Sequence, residues 1–86
     1  MASYNVVWRA SAERDLRKLD HVVIPKILAS IADLALNQSP PQMKKLVGAE
    51  STYRIRIGDY RVIYQVDADA KSVTIYHIRH RREAYR

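Results

Sequence analysis

The segment Tyr53-Arg54-Ile55-Arg56-Ile57-Gly58-Asp59-Tyr60-Arg61-Val62-Ile63-Tyr64-Gln65-Val66 restricts the fold more than any other part of the chain. Two strand-like stretches flank Gly58-Asp59, a Gly-first pair suited to a two-residue hairpin loop. With that loop, pairing follows by counting. Ile57 faces Tyr60, Arg56 faces Arg61, Ile55 faces Val62 and Tyr53 faces Tyr64. The Ile57, Ile55 and Tyr53 pairs share one face and can pack. The other face carries Arg54, Arg56 and Arg61. Like charges directly opposed across a ladder destabilise it. A sheet that keeps this opposition is shaped to hold an anion, and a phosphodiester backbone is the leading candidate.

The chain has 86 residues, which predicts one domain over residues 1–86 with a single core. Without cysteine it has no disulfide framework and no cysteine-ligated metal. His77 and His80 have too few carboxylates near them in the sequence to suggest a metal site, so neither metal nor cofactor is expected. Gly48 and Gly58 are the only glycines, which excludes a Gly-rich phosphate loop. No motif supports Ser/His/Asp catalysis. No apolar run is long enough to span a bilayer and no signal-peptide pattern precedes the first strand. The expectation is a cytoplasmic protein with no membrane partner.

The net charge is +6, from 15 basic and 9 acidic residues. Residues 1–50 hold seven Lys/Arg against five Asp/Glu, and residues 51–86 hold eight against four. Seven of those eight later bases are arginine, which suits bidentate phosphate contacts and stacking on bases. The bland alternative is a basic domain with a solvated face. Tyrosines interleaved with the arginines favour nucleic acid instead.

Tyr4 to Trp8 predicts a first strand. Ser11 is placed to cap a helix in which Ala12, Leu16 and Leu19 follow at helical spacing. A second helix is expected to begin near residues 22–24, because Pro25 is tolerated only in a first turn. Ile24, Ile27, Leu28, Ile31, Leu34 and Ala35 form its apolar stripe. Asn37-Gln38-Ser39-Pro40-Pro41 ends it. Met43 to Ser51 reads as a connection, and Ser72 to about His80 as a last strand anchored by Val73, Ile75 and Ile78. The predicted class is α+β: strand, two helices, then three strands. The last three strands form an antiparallel meander, and the two helices pack on one face of the sheet. The opposite face is left to the arginines.

This order resembles the RelE/ParE toxin superfamily of bacterial and archaeal toxin–antitoxin pairs over nearly the whole chain. The resemblance rests on Leu16 to Leu19 with the Ile-rich second helix and on Lys45-Leu46-Val47-Gly48. It rests further on the hairpin from Tyr53 to Tyr64 and on His80-Arg81-Arg82-Glu83-Ala84-Tyr85. The RelE branch is the better match. It implies a ribosome-dependent endoribonuclease that cuts mRNA in the A site by 2′-hydroxyl attack, leaving a 2′,3′-cyclic phosphate and a 5′-hydroxyl. The ParE branch instead implies a DNA gyrase poison, and a non-catalytic RNA- or ribosome-binding module on the same fold is a third reading. The resemblance also implies a cognate, acidic-leaning antitoxin and a toxin–antitoxin hetero-oligomer.

Carried over by position, the resemblance implies five catalytic residues. Arg54 and Arg56 occupy strand positions that are often lysine in the family. Arg61 stands where a phosphate-stabilising arginine is expected. Arg81 matches an arginine that protonates or stabilises the leaving group, and Tyr85 matches a tyrosine that stacks on or orients a base. Lys44, Lys45, Arg79, His80 and Arg82 are the expected RNA contacts. Arg79 replaces a residue that is commonly small in the family.

Arg54, Arg56, Arg61, Arg81, Arg82 and Tyr85 have structural alternatives. Arg54 and Arg56 would also serve as solvated edge-strand arginines, Arg81 and Arg82 as a basic tail, and Tyr85 as a residue packed back on the sheet. Tyr60 and Tyr64 are expected in the core. Arginine stays protonated in proteins, so neither Arg54 nor Arg56 suits removal of the 2′-hydroxyl proton. His80, Glu83, His77, the tyrosines and the ribosome remain open for that role.

Overall fold

The computed structural model describes residues 3–41, 43–46, 48 and 51–81. Its elements are β1 (Asn5–Trp8), α1 (Ala10–Arg17), α2 (Ile24–Leu34), β2 (Met43–Lys45), β3 (Thr52–Ile57), β4 (Tyr60–Asp67) and β5 (Ser72–His80). The strands form one sheet in the order β1-β5-β4-β3-β2. The α+β class and the β3-β4-β5 meander stand as expected. The segment from Met43, expected as a connection, contributes a further strand. β2 pairs antiparallel with β3, placing Met43 opposite Ile55, Lys44 opposite Arg54 and Lys45 opposite Tyr53. Three residues carry too little alternation to signal a strand; the exposed edge of β3 recruits them.

The hairpin register matches the residue count. Ile57 pairs with Tyr60, Arg56 with Arg61, Ile55 with Val62 and Tyr53 with Tyr64. Gly58 takes φ +60°. A positive φ at the first loop position is what a type II′ turn requires, and its twist suits the flanking strands.

β1 runs parallel to β5, with Val6 opposite Val73 and Trp8 opposite Ile75. The chain then leaves the sheet directly into α1, because the Arg9 N–H still donates to the Ile75 carbonyl at 3.0 Å. Helix α1 therefore starts earlier than expected, with Arg9 at its N-cap and no side-chain cap. Ser11 lies inside the helix. Its Oγ donates to the Tyr76 carbonyl at 2.6 Å, a sheet group left open where β1 ends. Asp15, one turn on, accepts the Ile78 N–H at 3.0 Å. Helix α1 thus covers the outer edge of β5 with side-chain partners in place of a strand.

In α2, Pro25 sits in the first turn, where its missing N–H has no intrahelical role. Ile27, Ile31 and Leu34 are buried, whereas Leu28, expected in the same stripe, is 42% exposed. The Gln38 side chain closes the helix by donating to the carbonyls of Leu34 at 2.9 Å and Ala35 at 3.0 Å. The core joins Ala12, Ile27, Ile31 and Leu34 from the helices to Ile55, Val62, Tyr64, Val73, Ile75 and Ile78 from the sheet. Both helices take part in burying one sheet face, and the opposite face is left for polar chemistry.

Candidate nucleic-acid interface

Strand alternation and register decide which side chains share the open face. On β3 they are Arg54 and Arg56; on β4 they are Arg61, Ile63 and Gln65. On β5 a register shift intervenes. Ile63 pairs with His77, but Tyr64 pairs with Ile75, so Tyr76 is the extra residue of a β-bulge. The bulge lets Ile75 and Ile78, which differ in parity, both enter the core. It also turns His77 and Arg79 onto the arginine face. Tyr76 joins them there: its Oη donates to Gln65 Oε1 at 3.0 Å, and the Arg9 guanidinium lies over its ring at 5.4 Å.

Two cross-strand rows result. One runs Arg56–Arg61–Arg79 across β3, β4 and β5. The next runs Lys44–Arg54–Ile63–His77 across β2 to β5. Lys44, Arg54, Arg56 and Arg61 line a shallow pocket of about 80 Å³. Arg61 is 9% exposed, which sets its stem deep in the sheet and fixes the direction of its head. Arg56 is exposed and donates from Nε to the Gly58 carbonyl at 3.1 Å, which turns it toward the hairpin loop. Cations held this close repel one another, and an anion between them relieves that repulsion.

The structure brings Arg54, Arg56, Arg61, Arg79 and Lys44 together. It does not bring Lys45 and His80 to that face. Lys45 pairs with Tyr53, whose ring lies 5.8 Å from that of Tyr64 on the helix side. His80 pairs with Tyr60, and the two rings meet edge to face at 5.2 Å. Arg81 follows the end of β5, exposed, with its N–H bonded to the Asp59 carbonyl at 2.7 Å. Arg82, Glu83 and Tyr85 lie outside the described residues.

Among the tyrosines, Tyr64 is fully buried. Burial, and second the neighbouring Tyr53, push its phenol up from 10.0 to about 12. Its Oη donates to the Gln38 carbonyl at 3.1 Å. It is a core residue, as expected, and unsuited to proton abstraction.

One group escaped the sequence reading. Asp15 of α1 reaches the arginine face: its Oδ2 lies 3.3 Å from His77 Nδ1 while also accepting the Ile78 N–H. Arg79 Nη2 lies 3.2 Å from the same His77 nitrogen. The signal for the bulge was present in the three-residue spacing of Ile75 and Ile78, which breaks the period of a regular strand. No local signal marks Asp15, because its partners are more than 60 residues away. Among the described residues no group of three or more His, Cys, Asp or Glu side chains gathers, and no helix is long and apolar enough to cross a membrane.

The family profile described as the ParE toxin of type II toxin–antitoxin system, parDE, matches residues 6–85. Toxin RelG of Mycobacterium tuberculosis is 34% identical, the match covering 96% of this chain and 97% of that protein. The putative toxin RelE1 of Methanocaldococcus jannaschii is 33% identical over 96% of each chain. Among solved structures, the toxin in the archaeal RelE–RelB complex of Pyrococcus horikoshii superposes with a TM-score of 0.81 at 28% identity, over 92% of this chain and 96% of that one. The isolated Escherichia coli RelE toxin shares the fold at a TM-score of 0.79 and 21% identity, over 96% of each chain. With a profile matched over almost its full length and relatives a third identical end to end, the chain belongs to the RelE/ParE superfamily of type II toxins, and its curated relatives place it with the RelE branch.

Proposed function

We propose that this toxin is a ribosome-dependent endoribonuclease that cleaves mRNA in the A site. The observation that carries the reading is the Arg56–Arg61–Arg79 row bordering the pocket of Lys44, Arg54, Arg56 and Arg61. In RNA cleavage the 2′-oxygen attacks the adjacent phosphorus in line with the departing 5′-oxygen. Negative charge grows on the non-bridging oxygens. Guanidinium groups already in position meet that charge without reorganising, which is commonly the largest catalytic contribution. Arg61 is the central member because its stem is buried and it has an arginine across each neighbouring strand. Arg54 and Lys44 extend the positive surface along the RNA backbone. Arg81 lies just past the end of the strand that carries Arg79 and is assigned to the leaving oxygen. Tyr85 is assigned to base stacking. Small size and a flat basic face suit a protein that enters a crowded RNA site and lets the ribosome hold the nucleotide in line.

A partner is supported by similar solved structures, among them an archaeal RelE–RelB complex and the RelBE2 toxin–antitoxin complex of Mycobacterium tuberculosis. A cognate antitoxin of acidic character would cover the cationic face and form a toxin–antitoxin hetero-oligomer. Because attraction between the two is partly electrostatic, their association should slow as salt rises.

The decisive experiment is primer extension on mRNA bound to purified ribosomes, with and without the protein. A new stop inside the A-site codon, absent without ribosomes, supports the reading. The match to a ParE profile favours one other reading, inhibition of DNA gyrase. Intact mRNA together with loss of gyrase supercoiling in vitro would establish that alternative.

A further inference from the structure

Resting on the ribonuclease reading above, we propose that His77 is the base that takes the 2′-hydroxyl proton, with Asp15 as the residue that positions it. Arginines at both strand positions leave the cationic pocket without a proton acceptor, because guanidinium does not deprotonate in proteins. The described tyrosines and histidines narrow the choice. Tyr64 is buried with its phenol pushed up to about 12. Tyr4, Tyr53 and Tyr60 pack against the core, and His21 lies in the exposed turn between the two helices. Tyr76 is engaged with Gln65, and His80 pairs with Tyr60 and meets its ring edge to face on the opposite side of the sheet. His77 is on the arginine face, its side chain 36% exposed.

Its surroundings give the two ring nitrogens different tasks. Nδ1 faces Asp15 Oδ2 at 3.3 Å and Arg79 Nη2 at 3.2 Å. Among the described residues Nε2 has no hydrogen-bond partner. A carboxylate only accepts, so Nδ1 satisfies Asp15 when it carries the proton, and Nε2 is then a free acceptor. When Nδ1 accepts from Arg79, Nε2 carries the proton and cannot act as a base. An RNA phosphate beside Arg61 offers Arg79 a charge-assisted acceptor stronger than imidazole. Binding of substrate therefore draws Arg79 from His77 toward the phosphate, turns Nδ1 to Asp15 and frees Nε2.

His77 is the diagonal neighbour of Arg61 on the same face. Diagonal pairs lie roughly 7–8 Å apart, a span filled by a phosphate and its adjoining ribose. The step is then balanced. The 2′-hydroxyl proton passes to Nε2, the 2′-oxygen bonds to phosphorus, and the bond from phosphorus to the 5′-oxygen breaks. That oxygen takes a proton from water, and the imidazolium returns its proton to solvent. Asp15 acts by orienting the ring and stabilising the imidazolium. Its second bond, from the Ile78 N–H at 3.0 Å, keeps the carboxylate in place.

The charged groups facing His77 are Asp15 from α1, Arg79 from β5 and Arg61 from β4. The test is the pH profile of single-turnover mRNA cleavage on ribosomes for the wild type, His77→Asn, His77→Ala and Glu83→Gln. Asparagine keeps a donor toward Asp15 and loses the second ring nitrogen. The expected result is an acid limb in the rate, because a base must be unprotonated to accept a proton. His77→Asn should lose that limb and slow by roughly 10²–10⁴-fold, with ribosome binding retained. Added imidazole should partly restore His77→Ala, which a purely structural role would not allow. Wild-type rate and profile in His77→Asn, or loss of the limb in Glu83→Gln instead, overturns the assignment and leaves the ribonuclease reading standing. No cleavage by the wild type overturns both.

Discussion

Arg61 stands directly opposite Arg56 across the β3–β4 ladder, and its other flank is taken by Arg79 of β5. Three cations in one row oppose folding and favour an anion at the same time. Arg61 is the member whose position the sheet fixes, being 9% exposed. Replacing it by alanine should reduce cleavage on ribosomes by roughly 10²–10³-fold, the usual loss for a charge-stabilising donor. Ribosome binding should weaken far less. Primer extension beside a binding titration separates the two, and equal losses in both would assign Arg61 to docking.

Arg56 is exposed and its opposition to Arg61 is a cost to the sheet. Arg56→Thr removes a like-charge pair and places a strand-favouring residue on β3. Stability should stay level or rise by about 0.2–1 kcal/mol, while anion affinity falls. Urea unfolding reads the first effect. A clear loss of stability would mean that the Arg56 bond to the Gly58 carbonyl outweighs the repulsion.

Asp15 accepts from the Ile78 N–H, and Ile78 itself is 3% exposed. Asp15→Ala leaves that donor unpaired and should lower stability by about 1–3 kcal/mol. Asp15→Asn keeps an acceptor oxygen and should lower it by clearly less. The pair of urea midpoints tests the edge-covering role of α1; equal midpoints would show that water replaces the carboxylate.

Burial raises the Tyr64 phenol from 10.0 to about 12. Its folded value lies above the unfolded one, so between pH 10 and 12 the unfolded chain releases a proton that the folded protein keeps. Deprotonation then favours unfolding. The stabilisation is full below about pH 10 and is lost as pH rises through about 12. Tyr64→Phe should flatten this part of the stability curve relative to the wild type. Because the phenol also donates to the Gln38 carbonyl, the variant should be weaker by about 1 kcal/mol at neutral pH. Parallel alkaline slopes for the two proteins would contradict the assignment.

Gly58 holds φ +60° with open space where a Cβ would sit. Gly58→Ala meets no neighbour, so its effect is backbone strain alone, about 1–2 kcal/mol. Gly58→Asn should cost less, since asparagine, after glycine, is among the residues that turns of this class accept. Thermal unfolding of the two variants checks the order, and an unaffected alanine variant would mean that the loop relaxes to another turn.

Much of the candidate site was legible because its parts are local. The loop Gly58-Asp59 sets the β3–β4 register, and alternation then assigns Arg54, Arg56 and Arg61 to one face without reference to the rest of the chain. The second helix was legible for the same reason, its period written in Ile27, Ile31 and Leu34 and its start in Pro25. Ser11 misled because the chain passes from β1 into α1 at Arg9, which leaves this residue inside the first turn, bonded to the Tyr76 carbonyl instead of capping the helix.

The amino-acid order by itself determined the hairpin, the apolar faces and the cationic character of the open face, since each depends on neighbours within a few residues. Tertiary structure decided the rest. It recruited Met43–Lys45 to the edge of β3, set β1 parallel to β5, and through the Tyr76 bulge turned His77 and Arg79 toward Arg61. It also brought Asp15 to His77 across 62 residues of chain. Such pairings depend on which edges and backbone groups remain unsatisfied once the core has closed, a quantity that no local window of sequence contains.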